Sequence, residues 1–99
     1  MLRHYVFLKY LDGTTDEHVT AFCERMRALG SALGEIQHLE IGRDELRDAR
    51  SWDLVLSMEF ASIEALRTYQ RHPQHVALMA FNEPFVMNVA SVDFTEAEP

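Results

Sequence analysis

The segment Tyr69-Gln70-Arg71-His72-Pro73-Gln74-His75 places a phenol and two imidazoles around a proline. A histidine with the ordinary pKa of about 6.5 can take a proton from an acidic carbon at neutral pH. A tyrosine hydroxyl can donate to the enolate oxygen that forms, so such a pair suffices for aldol and retro-aldol steps. The sequence therefore offers His75 as a general base and Tyr69 as a proton donor.

The same residues also have a purely structural interpretation. His75 can brace a junction between two helices, and Tyr69 can be a core aromatic whose hydroxyl is satisfied within the protein. His72 fits a structural role better than a base. The histidines of this segment have no clear third ligand in the sequence, and there is one cysteine, Cys23, on an apolar helical stripe. We therefore predict neither a metal site nor a cofactor.

Four segments alternate between apolar and other residues, as strands do. Residues 2–11 and 52–60 show this period of two most clearly, residues 35–42 show it weakly, and residues 88–95 close the chain with it. Along residues 52–60 the apolar set runs from Trp52 to Phe60. The sequence therefore predicts a sheet of four strands.

Three helices are predicted between these strands. Thr14 with Glu17 reads as a capping box that begins a helix over residues 15–33. Ser62 begins a second helix that stops near His72, because proline biases the preceding residue away from helical geometry, and Pro73 begins a third. The order β-α-β-β-α-β is that of an α+β, ferredoxin-like fold with an antiparallel four-stranded sheet and helices on one face.

The sheet face away from the helices needs a cover. It would leave Tyr5, Phe7, Val55 and Val92 facing outward, and packing two such faces together would bury them. This predicts a homodimer in which two sheets form a dimeric α+β barrel.

The amino-acid composition argues against two classes of partner, nucleic acids and membranes. The 16 acidic against 9 basic residues give a formal charge of −7, which repels a phosphate backbone, so we predict no nucleic acid partner. No apolar run approaches the roughly 20 residues that span a bilayer, and the N-terminus has no signal-peptide pattern. We expect a cytoplasmic protein with no membrane partner. Its single domain covers residues 1–95, and an acidic tail covers 96–99.

Several segments resemble the stress-responsive dimeric α+β barrel (Dabb) family over about residues 2–95. They are the opening residues 2–10, Gly42-Arg43, the segment His72-Pro73-Gln74-His75-Val76-Ala77-Leu78, and the closing Val92-Asp93-Phe94. The resemblance implies the same fold and a homodimer. One family member, olivetolic acid cyclase, performs a cofactor-free aldol cyclisation attributed to a histidine and a tyrosine at the positions of His75 and Tyr69.

The resemblance also implies a pocket for a small-molecule ligand between the sheet and the helices. Its expected residues are His4, Val6, Leu8, Phe22, Cys23, Met26, Leu39, Leu56, Met58, His72 and Leu78. Strand alternation independently groups His4 with Val6 and Leu8, and Leu56 with Met58. Cys23 and Met26 stand where the cyclase has aromatic residues, which predicts a different ligand.

The leading functional hypothesis is a cofactor-independent lyase or cyclase acting on a carbonyl or polyketide-like compound. In it His75 is the general base, Tyr69 is the proton donor, and His4 or His72 is the orienting group. Two alternatives stay open. One is a non-catalytic stress-responsive or ligand-binding protein, and the other is a cofactor-free monooxygenase.

Overall fold

The chain forms one four-stranded sheet with three helices in the computed structural model, which describes residues 1–97. In chain order the elements are β1 (Leu2–Tyr10), α1 (Asp16–Ala32), β2 (His38–Arg43), β3 (Leu54–Phe60), α2 (Ile63–Arg71), α3 (Pro73–Asn82) and β4 (Val86–Thr95), with a 3₁₀ turn at Glu83–Phe85 before the last strand. This order confirms the predicted α+β, ferredoxin-like fold. The tail predicted at residues 96–99 lies partly outside the described residues.

All neighbouring strands are antiparallel, in the order β2-β3-β1-β4. β1 is one of the two central strands, and its His4 pairs with Met58 on β3 and with Asp93 on β4. Paired residues of adjacent strands point to the same face of a sheet. The register therefore places Asp93 beside His4 on the face that the helices cover.

The core lies between this face and the helices. On β1 the residues Leu2, His4, Leu8 and Tyr10 are buried. The buried stripe of α1 that packs toward them consists of Val19, Phe22, Cys23, Met26 and Leu29. Burying one such large apolar side chain contributes about 1.5–3 kcal/mol, so this stripe is what fixes α1 on the sheet.

The cap of α1 differs from the prediction. Thr15 is the N-cap, and its Oγ1 accepts from the backbone N–H of His18 at 3.1 Å. Thr14 instead donates its hydroxyl to the carbonyl of Leu11 at 2.7 Å. The predicted capping box at Thr14 and Glu17 is therefore wrong, because the turn after β1 uses Thr14. The cap predicted at Ser62 is confirmed, since its Oγ accepts from the N–H of Ala65 at 3.1 Å.

The opposite sheet face carries no helix. There Tyr5 stacks on Phe94 with ring centroids 5.8 Å apart, and Phe7 packs against Trp52 at 6.3 Å. The prediction that Trp52 shares a face with Phe60 is wrong, because β3 begins only at Leu54 and Trp52 folds from the preceding loop over Phe7. We call this surface the bare face. It leaves large apolar side chains without a covering layer.

None of the helices within residues 1–97 is both long enough and apolar enough to cross a membrane.

Candidate functional site

The junction between α2 and α3 sets the direction of His75. α2 ends at Arg71, His72 is extended with φ −62° and ψ 134°, and Pro73 is the first residue of α3. The Nδ1 atom of His72 accepts from the N–H of Gln74 at 3.1 Å, so His72 caps α3. This helix break is the one predicted from the proline. The break begins a new helix, with His75 in its first turn.

A cavity of about 220 Å³ lies between the sheet, α1 and the paired helices α2 and α3. It is smaller than the roughly 300–1,000 Å³ of sites for drug-sized ligands, so it suits a small compound. Its walls are mostly apolar, with a few polar groups. The lining residues are His4, Val6, Leu8, Phe22, Leu56, Met58, Tyr69, His75, Met79, Asn82, Glu83, Val86 and Val89.

The tautomer of His75 follows from its hydrogen bond. Its Nδ1 lies 3.0 Å from the carbonyl oxygen of Gln70. A carbonyl only accepts, so Nδ1 carries the hydrogen and the neutral ring keeps a lone pair on Nε2. Burial lowers the pKa of the His75 imidazole and the nearby His4 acts in the same direction, while the bond to Gln70 opposes them. His75 is therefore a neutral proton acceptor at pH 7.

Tyr69 lies beside His75 but points its hydroxyl deeper. The two ring centroids are 4.5 Å apart, and Tyr69 is 2% exposed. Its hydroxyl donates to the sulfur of Met26 at 3.9 Å, and a thioether is a weak acceptor. Burial raises the pKa of the Tyr69 phenol, so the hydroxyl stays protonated at neutral pH and can donate a hydrogen bond.

His4 also lies in the wall, and it is hydrogen-bonded to a carboxylate. Its Nδ1 donates to Oδ1 of Asp93, and its ring packs edge-on against Phe60 with centroids 6.1 Å apart. The pair fixes the orientation of the His4 ring and directs Nε2 away from β4. Sequence reasoning missed Asp93, because its contact with His4 depends on the register between β1 and β4.

We expect the loss of the Asp93 carboxylate to destabilise the fold. Asp93→Ala should lower the free energy of unfolding by about 1–2 kcal/mol, because His4 Nδ1 is buried and loses its acceptor. Asp93→Asn keeps an acceptor oxygen and should lose less than half as much. Urea denaturation at pH 7 measures both values. Equal losses in the two variants would contradict a hydrogen-bonding role.

Five of the predicted pocket residues lie away from the cavity wall. Cys23 and Met26 are buried in the core under α1, and burial raises the pKa of the Cys23 thiol. Leu39 is half-buried on β2, and Leu78 lines a more open groove of about 390 Å³ between α1 and α3. His72 serves as the cap described above. The structure thus brings together His4, Tyr69 and His75, with Val6, Leu8, Phe22, Leu56 and Met58 around them.

Sequence reasoning also missed five residues of the wall: Met79, Asn82, Glu83, Val86 and Val89. A signal for two of them was present. Met79 and Asn82 follow His75 by four and seven residues on one helix, and this spacing places them on the same face. Within residues 1–97, no three His, Cys, Asp or Glu side chains are grouped as a metal ion would require.

The lowered pKa of His75 predicts a pH dependence of stability. The unfolded chain binds a proton at this residue more readily than the folded protein does. Stability should therefore fall as the pH drops below about 6.5, and the contribution of His75 should be fully present above it. His75→Gln should flatten this slope between pH 7.5 and 5.5 in urea denaturation. Since the chain has five histidines, the difference between wild type and variant is the relevant quantity. Identical slopes would contradict the assignment.

Comparison with known proteins gives matches over nearly the whole chain. The family model for the stress responsive A/B barrel domain, Dabb, matches residues 2–96. An uncharacterized protein of Streptomyces coelicolor is 29% identical over 87 residues, which cover 86% of this chain and 90% of that protein. A dimeric ferredoxin-like protein of unknown function from Thermobifida fusca has a TM-score of 0.87 and 24% identity, covering 96% of this chain and 90% of its own.

One of the similar structures is that of a protein named as an enzyme. The hydroxynitrile lyase of Passiflora edulis has a TM-score of 0.85 and 15% identity, covering 99% of this chain and 96% of its own. At these identities the two structural likenesses show a shared fold, and a fold hosts many activities.

Proposed function

Because the chain belongs to the stress-responsive A/B barrel (Dabb) family, we propose that it works as a dimeric barrel that moves a proton on a small carbonyl compound without a cofactor. The observation that carries this proposal is the locked tautomer of His75. Its Nδ1–H donates to the carbonyl of Gln70, which leaves the basic lone pair on Nε2 of a ring that lines an apolar cavity. A neutral imidazole in such a site is a suitable general base.

His75, Tyr69 and His4 take different parts in the proposed reaction. His75 Nε2 removes a proton either from a carbon next to a carbonyl or from a hydroxyl on the carbon that becomes the carbonyl. The protonated hydroxyl of Tyr69 exchanges its weak contact with the Met26 sulfur for the oxygen on which charge develops. His4, held by Asp93, orients the compound from the sheet side.

Two reactions share these requirements. In an aldol-type step on a polyketide-like compound, the base removes a C–H proton, the carbon attacks a second carbonyl carbon, and the oxygen of that carbonyl takes up a proton from Tyr69 or from the protonated base. In cyanohydrin cleavage, the base removes the hydroxyl proton, the oxygen becomes a carbonyl, and the carbon–carbon bond breaks with its electron pair leaving on cyanide. The Passiflora edulis protein of similar fold is a hydroxynitrile lyase, which supports testing the second reaction.

Two assays test the proposal on the unmodified protein. Cleavage of mandelonitrile is followed by the absorbance of benzaldehyde, and exchange of the acetophenone methyl hydrogens in deuterated buffer is followed by NMR. We expect at least one reaction to run faster than in matched buffer at pH 7. No acceleration of either reaction, with aryl ketone binding still detectable, would favour the second candidate function.

That second candidate is ligand binding without turnover. The burial of the Tyr69 hydroxyl against Met26 supports it, because this donor already has a partner within the protein. Affinity for aryl ketones would then be unaffected by His75→Gln.

The proposal includes a homodimer formed through the bare face. Val92 and Phe94 on this face are 55% and 44% exposed in the single chain, and Tyr5 and Phe7 lie beside them. Apolar side chains in such a continuous set are unusual on the surface of a monomer. The dimeric Thermobifida fusca protein of the same fold is consistent with this arrangement.

A further inference from the structure

Asn82 is a buried amide at the end of the cavity opposite the start of α3. It is 3% exposed, and its Oδ1 accepts from the hydroxyl of Tyr10 at 2.7 Å and from Nε2 of His18 at 2.9 Å. Burial raises the pKa of Tyr10 to about 12, so this hydroxyl stays protonated. The His18 ring is packed against Phe81 and Phe85, with centroid distances of 4.7 and 4.1 Å. The amide orientation is therefore fixed by two donors.

The amino group of Asn82 is left for a ligand. Both lone pairs of Oδ1 are used, whereas Nδ2 has no hydrogen-bond partner among residues 1–97, and the side chain lines the cavity. Among the described residues, the buried side-chain N or O atom without a partner is Nε of Arg3, so Nδ2 of Asn82 keeps accessible surface at the cavity wall and can donate to a group in the cavity. Asn82 thus presents two N–H donors to whatever fills the cavity.

The position of Asn82 relative to His75 defines the shape of that ligand. Seven residues of one helix separate them, which is about 10.5 Å along the axis, and Met79 lies between them in the wall. A ligand that contacts both residues therefore carries a polar group at each end of an apolar middle.

The charge of the wall limits the ligand further. The lining contains no lysine or arginine, and the one charged residue in it is the exposed Glu83 next to Asn82. A carboxylate or phosphate at this end would meet a negative charge and no cation, so it would be repelled.

We propose that Asn82 determines specificity for an uncharged ligand with an apolar middle about one ring in size. The ligand directs an acidic hydrogen toward Nε2 of His75 and an acceptor oxygen toward Nδ2 of Asn82. This inference rests on the proposed function, because it takes His75 as the residue that meets the acidic hydrogen. It adds the substrate class and a second polar contact to that function.

Three probes that share a phenol ring test the inference by isothermal titration calorimetry. 4-Hydroxyacetophenone carries an acceptor oxygen, 4-isopropylphenol replaces it with a group of similar shape and no acceptor, and 4-hydroxybenzoate carries a charge. We expect wild type to bind the ketone at least tenfold more tightly than the carboxylate. Asn82→Leu should weaken binding of the ketone about tenfold and of 4-isopropylphenol less than threefold.

Within one variant, the ratio of the affinities for 4-hydroxyacetophenone and 4-isopropylphenol separates a lost ligand contact from a general loss of protein stability. Asn82→Leu also removes the acceptor of Tyr10 and His18. Asn82→Asp keeps that acceptor but lacks the N–H donors, so it serves as a second variant in which the ketone should again lose more affinity than 4-isopropylphenol. Met79→Leu is the matched control. In this variant the affinities for the two uncharged probes should change by the same factor. An unchanged ratio in the Asn82 variants, or no binding of the ketone to wild type, would overturn the inference. This ratio does not depend on turnover, whereas hydrogen exchange in a His75 variant tests the proposed function, so each can fail alone.

Discussion

His75→Phe is expected to slow proton transfer by roughly 10²–10⁴-fold, the usual contribution of a general base. The phenyl ring can keep the packing against Tyr69, where the ring centroids are 4.5 Å apart, but it has no lone pair to replace Nε2. The rate of mandelonitrile cleavage or of acetophenone exchange, whichever wild type accelerates, measures the loss. The variant also lacks the bond to Gln70, which is worth about 0.5–1.5 kcal/mol, so its folding is checked by circular dichroism.

The neighbouring histidine provides the matched control. His72 belongs to the same segment but caps α3 from outside the cavity wall, and asparagine is an equally good N-cap residue. His72→Asn should therefore keep the wild-type rate within about twofold. A His75→Phe rate above one tenth of wild type would exclude His75 as the base. A loss in His72→Asn as large as in His75→Phe would show that the helix junction, and not the imidazole, carries the effect.

Most of the fold could be predicted because its signals are local. The proline after His72 predicts the break between α2 and α3, and the alternation of residues 2–11 predicts β1 and the face that His4 occupies. The boundary of α1 was predicted wrongly because two local signals compete there. Thr14 and Thr15 both suit an N-cap, and only the turn after β1 decides between them.

The candidate site could be predicted less completely, because its contacts join residues that are distant in sequence. Alternation places His4 on a buried face, but the partner carboxylate of Asp93 is 89 residues away and depends on strand register. Helical spacing likewise places Phe22, Cys23 and Met26 on one stripe of α1. Which of them reaches the cavity depends on how α1 is rotated over the sheet, and of these three only Phe22 lines it.

Val92→Glu is expected to convert the proposed homodimer to monomers. Val92 lies on the bare face opposite Tyr5 of the neighbouring strand, so dimer formation would bury the new carboxylate among apolar groups. A twofold axis repeats the substitution in both copies and doubles its cost. We expect the dimer dissociation constant to rise at least 100-fold, which corresponds to about 2.7 kcal/mol. Sedimentation velocity over a range of protein concentrations measures it.

Val76 offers a control of the same residue type and the same exposure. Val76 and Val92 are each 55% exposed in the single chain, but Val76 lies on α3 and Val92 on the bare face of the sheet. Val76→Glu adds the same charge to the same molecule, so any general effect of a more acidic surface appears in both variants. A dimer that persists in Val92→Glu, or that dissociates equally in Val76→Glu, would exclude the bare face as the interface. Dissociation confined to Val92→Glu would mean that the sheet, whose other face carries the cavity, is covered by a second copy of this chain.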